Sequence, residues 1–170
     1  MEQPIISGVS QDLSEAKITV TAVPDRPGEA ALVFETLADL GVNLDMIVQN
    51  VSADGSTDIT FTLPTADLGA ASAALLGRQE EIGFGELLQD EGIAKVSLVG
   101  AGMRSHPGVS ATFFRTLADA GVNVEMISTS EIRISVVTRA EDAAKAVQAL
   151  HSSFGLDADG EAVVYAGTGR

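Results

Sequence analysis

The chain carries one segment twice. Residues 27–47 read PGEAALVFETLADLGVNLDMI and residues 107–127 read PGVSATFFRTLADAGVNVEMI, identical at 13 of 21 positions and offset by 80 residues. A repeat of this kind marks two structural units built alike. Each copy opens on Pro-Gly and continues with apolar residues at helical spacing: Ala30, Val33, Phe34 and Leu37 in the first, Phe113, Phe114, Leu117 and Ala118 in the second. A glycine then ends the run and an alternating, strand-like stretch follows. With 170 residues in all, two modules of roughly 75 residues each fit, near the lower limit for independent folding.

The segments around the repeat complete each unit. Residues 16–23 (AKITVTAV) alternate as a half-buried strand, residues 24–28 (PDRPG) form a loop, and the helix over 28–40 stops at Gly41, suited to a left-handed cap. A strand over 42–52 puts Val42, Leu44, Met46 and Val48 on one face and Asn43, Asp45, Ile47 and Gln49 on the other. The turn at 53–56 leads to a return strand over 57–63, and Thr65 caps a second helix ending near Gly77, with Leu68, Ala71, Leu75 and Leu76 inward. A fourth strand spans 84–89. The order βαββαβ then restarts with strand 94–99, a loop 100–108 two residues longer than its counterpart, helix to Ala120, strands 122–128 and 132–137, helix 141–154 and a closing strand 161–166. The predicted class is α+β: two tandem ferredoxin-like modules with antiparallel sheets, over residues 16–90 and 91–170, after an N-terminal segment 1–15 in which Ile5 and Ile6 can add a strand. Which module each terminal strand joins stays open, and strand 161–166 can complete the first.

Composition excludes several function classes. Twenty-four acids against ten bases give a formal charge of −14, the wrong sign for a phosphate backbone or an anionic membrane surface, so no nucleic-acid or membrane partner is expected. No apolar run approaches the ~18 residues of a membrane helix. The N-terminal sequence MEQPIISGVSQD lacks a basic stretch followed by an apolar core, which predicts no secretory leader and a cytoplasmic location. Without cysteine there is no disulfide, thiolate metal site or thiol nucleophile. Two histidines, His106 and His151, with no spaced partners are a poor metal signal, and no serine stands in a nucleophile elbow. Gly100-Ala101-Gly102 follows a strand, but Ser105 occupies the place of the third glycine in a dinucleotide fingerprint. No cofactor, metal or catalytic residue is therefore predicted.

What remains is the loop entering the first helix of each copy. A helix N-terminus offers unpaired N–H groups and partial positive charge, which suits a carboxylate. Gly28 lets backbone approach a ligand, Asp25 can meet an ammonium group, and Gln49 and Asn43 can read a small polar side chain. These are the parts needed to hold a free amino acid. Pro-Gly also starts helices with no ligand, and Asn43 can serve the turn alone.

The Pro-Gly helix start and the GVN strand start resemble the ACT domain, an amino-acid-sensing module of biosynthetic enzymes. More narrowly, KITVTAVPDRPGEAALVFETLADLGVNLDMIVQNVS, TDITFTLP, KVSLVGAGMRSHPGVSATFF and EMISTSEIRISV resemble the tandem ACT region of aspartokinases over residues 8–170. The kinase domain of that family is missing from the sequence, as in a separate β subunit made from an internal start or an excised regulatory fragment. The resemblance implies a non-catalytic regulatory subunit binding free threonine, with lysine, in feedback inhibition of aspartate phosphorylation. It implies a homodimer through the ACT modules and a catalytic α subunit in an α2β2 assembly. Asp25, Pro27, Gly28, Glu29, Ala30 and Gln49 match the family's effector positions in the first module, and Asn123, Val124 and Ile127 match the facing strand. Ser110, Ser130 and Glu131 match lysine-linked positions. Asp25 aligns near Ser105 and His106, and Gln49 aligns with Thr129, so the two copies are not expected to bind one ligand equally. A stand-alone ACT sensor controlling another enzyme or a transcription partner is the alternative reading.

Overall fold

The computed structural model describes residues 5–103 and 105–156, and the backbone of 163–166. Contacts divide the chain into two units: residues 15–91 form one, and residues 1–14 together with 92–170 form the other.

The unit of residues 15–91 has the βαββαβ order. It contains β2 (Glu15–Pro24), α1 (Glu29–Asp39), β3 (Ile47–Val51), β4 (Ser56–Pro64), α2 (Leu68–Gly77), a short α3 (Gln79–Ile82) and β5 (Leu87–Asp90). The antiparallel sheet has the order β3-β4-β2-β5, so β3 and β5 are its edges. Ile18 stands opposite Phe61 on one neighbour and Gln89 on the other. Ile18, Val20, Ile59, Phe61 and Leu63 alternate along β2 and β4 and turn one face of the sheet toward the helices. α1 returns Val33 and Leu37, one turn apart, onto that face, and Phe34 meets Phe61 edge-on at a centroid distance of 6.4 Å. Gly41, at φ +70°, ends α1 as its sequence suggested. Residues 42–46 are not strand, however: the regular ladder with β4 begins at Ile47, opposite Phe61, after Asp45 and Met46 both bond to Thr62. Leu76 is exposed, since only Leu68, Ala71, Ser72 and Leu75 of α2 reach the core. Thr65 opens a 3-10 turn (Thr65–Asp67) ahead of α2, and Asp67 takes the cap position.

The second unit contains β6 (Ile93–Ala101), α4 (Pro107–Asp119), β7 (Met126–Thr129), β8 (Arg133–Arg139) and α5 (Ala143–Ser153), with β1 (Ile5–Asp12) and β9 (Val163–Ala166). Its sheet has five strands in the order β7-β8-β6-β1-β9. The place beside β6 that β5 fills in the first unit is taken by β1, antiparallel, from Ile5↔Ala101 to Asp12↔Lys95. The closing strand β9 lies outside β1 and parallel to it, Gly8 opposite Val163, so this sheet is not wholly antiparallel. Strand exchange thus runs from the N-terminus into the second unit, and the closing strand stays there. Val9 anchors β1 by burying its side chain completely among Val96, Leu98, Phe113, Leu117, Ile134, Val136 and Leu150. Each such apolar side chain removed from water contributes about 1.5–3 kcal/mol. Phe113 and Leu117 of α4 face this core with Val109 one turn earlier; Ala118 faces solvent.

Candidate functional site

In the first unit, β2 bends before it reaches the loop. Its pairing with β4 shifts between Val20 and Val23, and Ala22 adopts φ +54°. A left-handed conformation costs a non-glycine residue about 1–2 kcal/mol, and here the Ala22 N–H donates to the Asp58 carboxylate at 2.9 Å. The bulge re-aims the strand end. Immediately beyond it, the Asp25 N–H donates to the Gly55 carbonyl at 3.0 Å, which ties the loop to the β3–β4 turn. That turn is itself held by Asp54, whose Oδ1 accepts the Ser56 hydroxyl at 2.7 Å and its N–H at 3.0 Å. Those two bonds keep the Asp54 carboxyl below its ordinary pKa.

Gly28 is the N-cap of α1 at φ +96°, and no side chain caps this helix. The Leu32 N–H reaches back to the Gly28 carbonyl at 3.1 Å. Arg26 pairs with Glu29 Oε1 at 3.0 Å, while Glu29 Oε2 is buried without a hydrogen-bond partner. Gln49 pairs with Ile59, a core residue, so it lies on the helix side of the sheet, exposed because β3 is the edge. The structure therefore brings Asp25, Pro27, Gly28, Glu29, Ala30 and Gln49 to one end of the first sheet. Asn43 is not among them: it follows the C-terminus of α1, an 11-residue helix about 16 Å long, and so belongs to the opposite end.

In the second unit the same place is built differently. Pro107 takes the first position of α4 after His106, again with no side-chain cap. The His106 ring donates from Nδ1 to the Gly102 carbonyl at 2.6 Å and folds the longer loop on itself. The Met103 N–H donates to the Glu131 carbonyl at 3.1 Å, and the Gly100 N–H to the Ile132 carbonyl at 2.9 Å. Between loop, helix start and hairpin opens a cavity of about 210 Å³ lined by Met103, Pro107, Ser110, Thr129, Ser130 and Ile134. At ~30 Å³ per water molecule in the liquid, it has room for a metabolite of amino-acid size. Ser110 and Ser130 thus share one cavity, with Glu131 exposed beside it. Asn123 and Val124 lie after the end of α4, away from the cavity, and Ile127 is exposed on edge strand β7. Met103, Thr129 and Ile134 were not singled out as ligand contacts by sequence. The one usable signal was the two-residue lengthening of the loop that carries Met103.

Among the described residues, no group of three or more His, Asp or Glu side chains is placed to hold a metal ion, and no helix is long and apolar enough to cross a membrane.

Paired βαββαβ units, each with an uncapped helix start set against an edge hairpin, define an α+β protein of tandem ferredoxin-like modules. The family model of the ACT domain matches residues 18–77 and 96–154, and the chain belongs to the ACT domain family as the regulatory region of the aspartokinases. It is 60% identical over 173 residues to the aspartokinase of Mycobacterium tuberculosis and 54% identical over 172 residues to that of Corynebacterium glutamicum. Each match covers all of this chain but 41% of the relative, so the chain spans about two-fifths of the length of these curated relatives. Among solved structures, it is 43% identical to the ligand-free regulatory subunit of aspartate kinase from Thermus thermophilus, with a TM-score of 0.84 over 88% of this chain and 99% of that one. A structure of aspartokinase alpha and beta subunits agrees as well, at 43% identity and a TM-score of 0.83 over the same shares.

Proposed function

We propose that the chain is the effector-sensing, non-catalytic part of a cytoplasmic aspartate kinase, binding free threonine together with lysine to restrain phosphorylation of aspartate. Threonine's carboxylate meets the N–H groups at the Gly28–Ala30 helix start, Asp25 takes its ammonium group and Gln49 its hydroxyl. Asn123, Val124 and Ile127 face that ligand from the partner chain of a homodimer. The observation that carries the reading is the second unit's cavity, which gathers Ser110 and Ser130 at a helix start with no side-chain cap. Lysine occupies it, with Glu131 at hand for its side-chain ammonium.

Ligand can regulate only by favouring one arrangement over another through differential affinity. A ligand held by two chains stabilises their association and so transmits to a catalytic α subunit in an α2β2 assembly. A calorimetric screen of the twenty amino acids against the purified chain tests this: threonine and lysine are expected to give saturable heats and the chain alone no aspartate phosphorylation. Heats from neither of these, or from unrelated amino acids only, would overturn it.

A further inference from the structure

At Gly100 another backbone comes closer than a side chain would allow. A Cβ built on this glycine would lie 2.3 Å from the Ile5 carbonyl oxygen and 3.2 Å from the Ile6 Cα, both backbone atoms of β1 that no side-chain motion can clear. The approach exists because β1 shifts register between Ile6 and Gly8, which lays Ile5 and Ile6 against Ala101 and Gly100 at the very end of β6. On its other flank, the Gly100 N–H is bonded to the Ile132 carbonyl of the β7–β8 hairpin. Three residues on, Met103 is bonded through its N–H to Glu131 and lines the 210 Å³ cavity. A single backbone segment, residues 100–103, is thus wedged between the start of β1 and the hairpin that carries Thr129 and Ser130. There is no slack on the β1 side.

From this we propose that the β1–Gly100 crossing is a mechanical coupling between the cavity and the N-terminal strand: filling the cavity fixes residues 100–103 and thereby clamps Ile5 and Ile6 onto β6. The inference rests on the effector reading of the cavity and adds the route by which its occupancy leaves the unit. Close-packed backbone transmits displacement where a yielding side chain would absorb it. Coupling is reciprocal, so loosening the start of β1 must weaken ligand binding at a cavity that β1 does not line.

Hydrogen exchange on the full chain, with and without saturating lysine and separately threonine, reads the coupling. Whichever amino acid protects residues 105–110 and 129–131 is expected to slow exchange of the backbone amides of residues 5–8 about fivefold or more. Two full-length variants, neither in the cavity lining, complete the test. In Gly100→Ala the β1 amides are expected to lose their response to ligand. In Ile5→Pro, at a position 68% exposed, affinity measured by calorimetry is expected to fall by the same factor that ligand slows β1 exchange in the wild type. Protection of the cavity segments with no change at residues 5–8, or unchanged affinity in Ile5→Pro, overturns the coupling while leaving the effector reading intact. Protection of neither region by either amino acid, with no calorimetric heat, overturns both.

Discussion

The two Pro-Gly dipeptides are the same in sequence and opposite in physics, so replacing each glycine by alanine is expected to move stability in opposite directions. Gly28 sits at φ +96° as the N-cap of α1, whereas Gly108 lies inside the first turn of α4, outside the left-handed region. A Cβ at either site meets no atom within 4 Å, so packing does not enter and only the backbone term differs. At Gly28, left-handed strain of about 1–2 kcal/mol is offset in part by the ~0.4–1 kcal/mol gained when alanine narrows the unfolded ensemble, leaving about 1 kcal/mol of destabilisation. At Gly108 only the gain survives, about 0.4–1 kcal/mol of stabilisation. For units of roughly 80 residues, each kcal/mol shifts the midpoint by about 4–8 °C. Scanning calorimetry on the two single variants should show the first unit's transition falling in Gly28→Ala and the second unit's rising in Gly108→Ala. Shifts of the same sign would refute the assignment of distinct backbone states to the two loops.

Further outcomes follow from the same geometry. Gln49→Ala, an exposed edge-strand change, should weaken threonine binding about tenfold in calorimetry, the loss of about 1.4 kcal/mol of hydrogen bonding, with an unchanged melting profile. Unaltered affinity removes Gln49 from the site. Phe113→Ala, which empties a fully buried position against Val9 and Ile134, should cost about 3–5 kcal/mol and unfold the second unit at lower urea while the first holds. Asp54 is held below its ordinary pKa by Ser56, so its contribution to the hairpin is complete above the unfolded-state value and is lost as pH falls through the lower folded value. Ser56→Ala should raise the Asp54 carboxyl toward the usual aspartate range in an NMR titration; an unchanged titration would show that the turn bonds do not set it.

Much of the fold was legible in the chain because its signals are local. The spacing of Val33 with Leu37 and of Phe113 with Leu117 marks a helix face from neighbours three or four residues away. The alternation of Ile59, Phe61 and Leu63 marks a strand the same way. The candidate site was partly legible, since the first Pro-Gly loop and Gln49 lie toward one end of the first sheet and the second Pro-Gly opens the helix beside the cavity of its own unit. The cavity residues Met103 and Ile134 were not, because being buried and lining a cavity leave the same apolar signature. The over-long strand expected from Val42 failed for a related reason: residues 42–46 alternate in burial, but Asp45 and Met46 both bond to the single residue Thr62, so the regular ladder with β4 begins only at Ile47.

By itself the sequence determined the duplication, the two helix-on-sheet units, the lack of any thiol and the strongly acidic charge balance. Those properties follow from composition and from patterns shorter than one element. Tertiary structure alone decided that β1 crosses into the second sheet, that β9 runs parallel outside it, and that equivalent Pro-Gly loops hold a glycine in different backbone states. Strand partnership is chosen between residues some ninety positions apart, as with Val9 and Leu98. What selects it is burial of Val9 in a core assembled from four other elements, and no local run of residues carries that information.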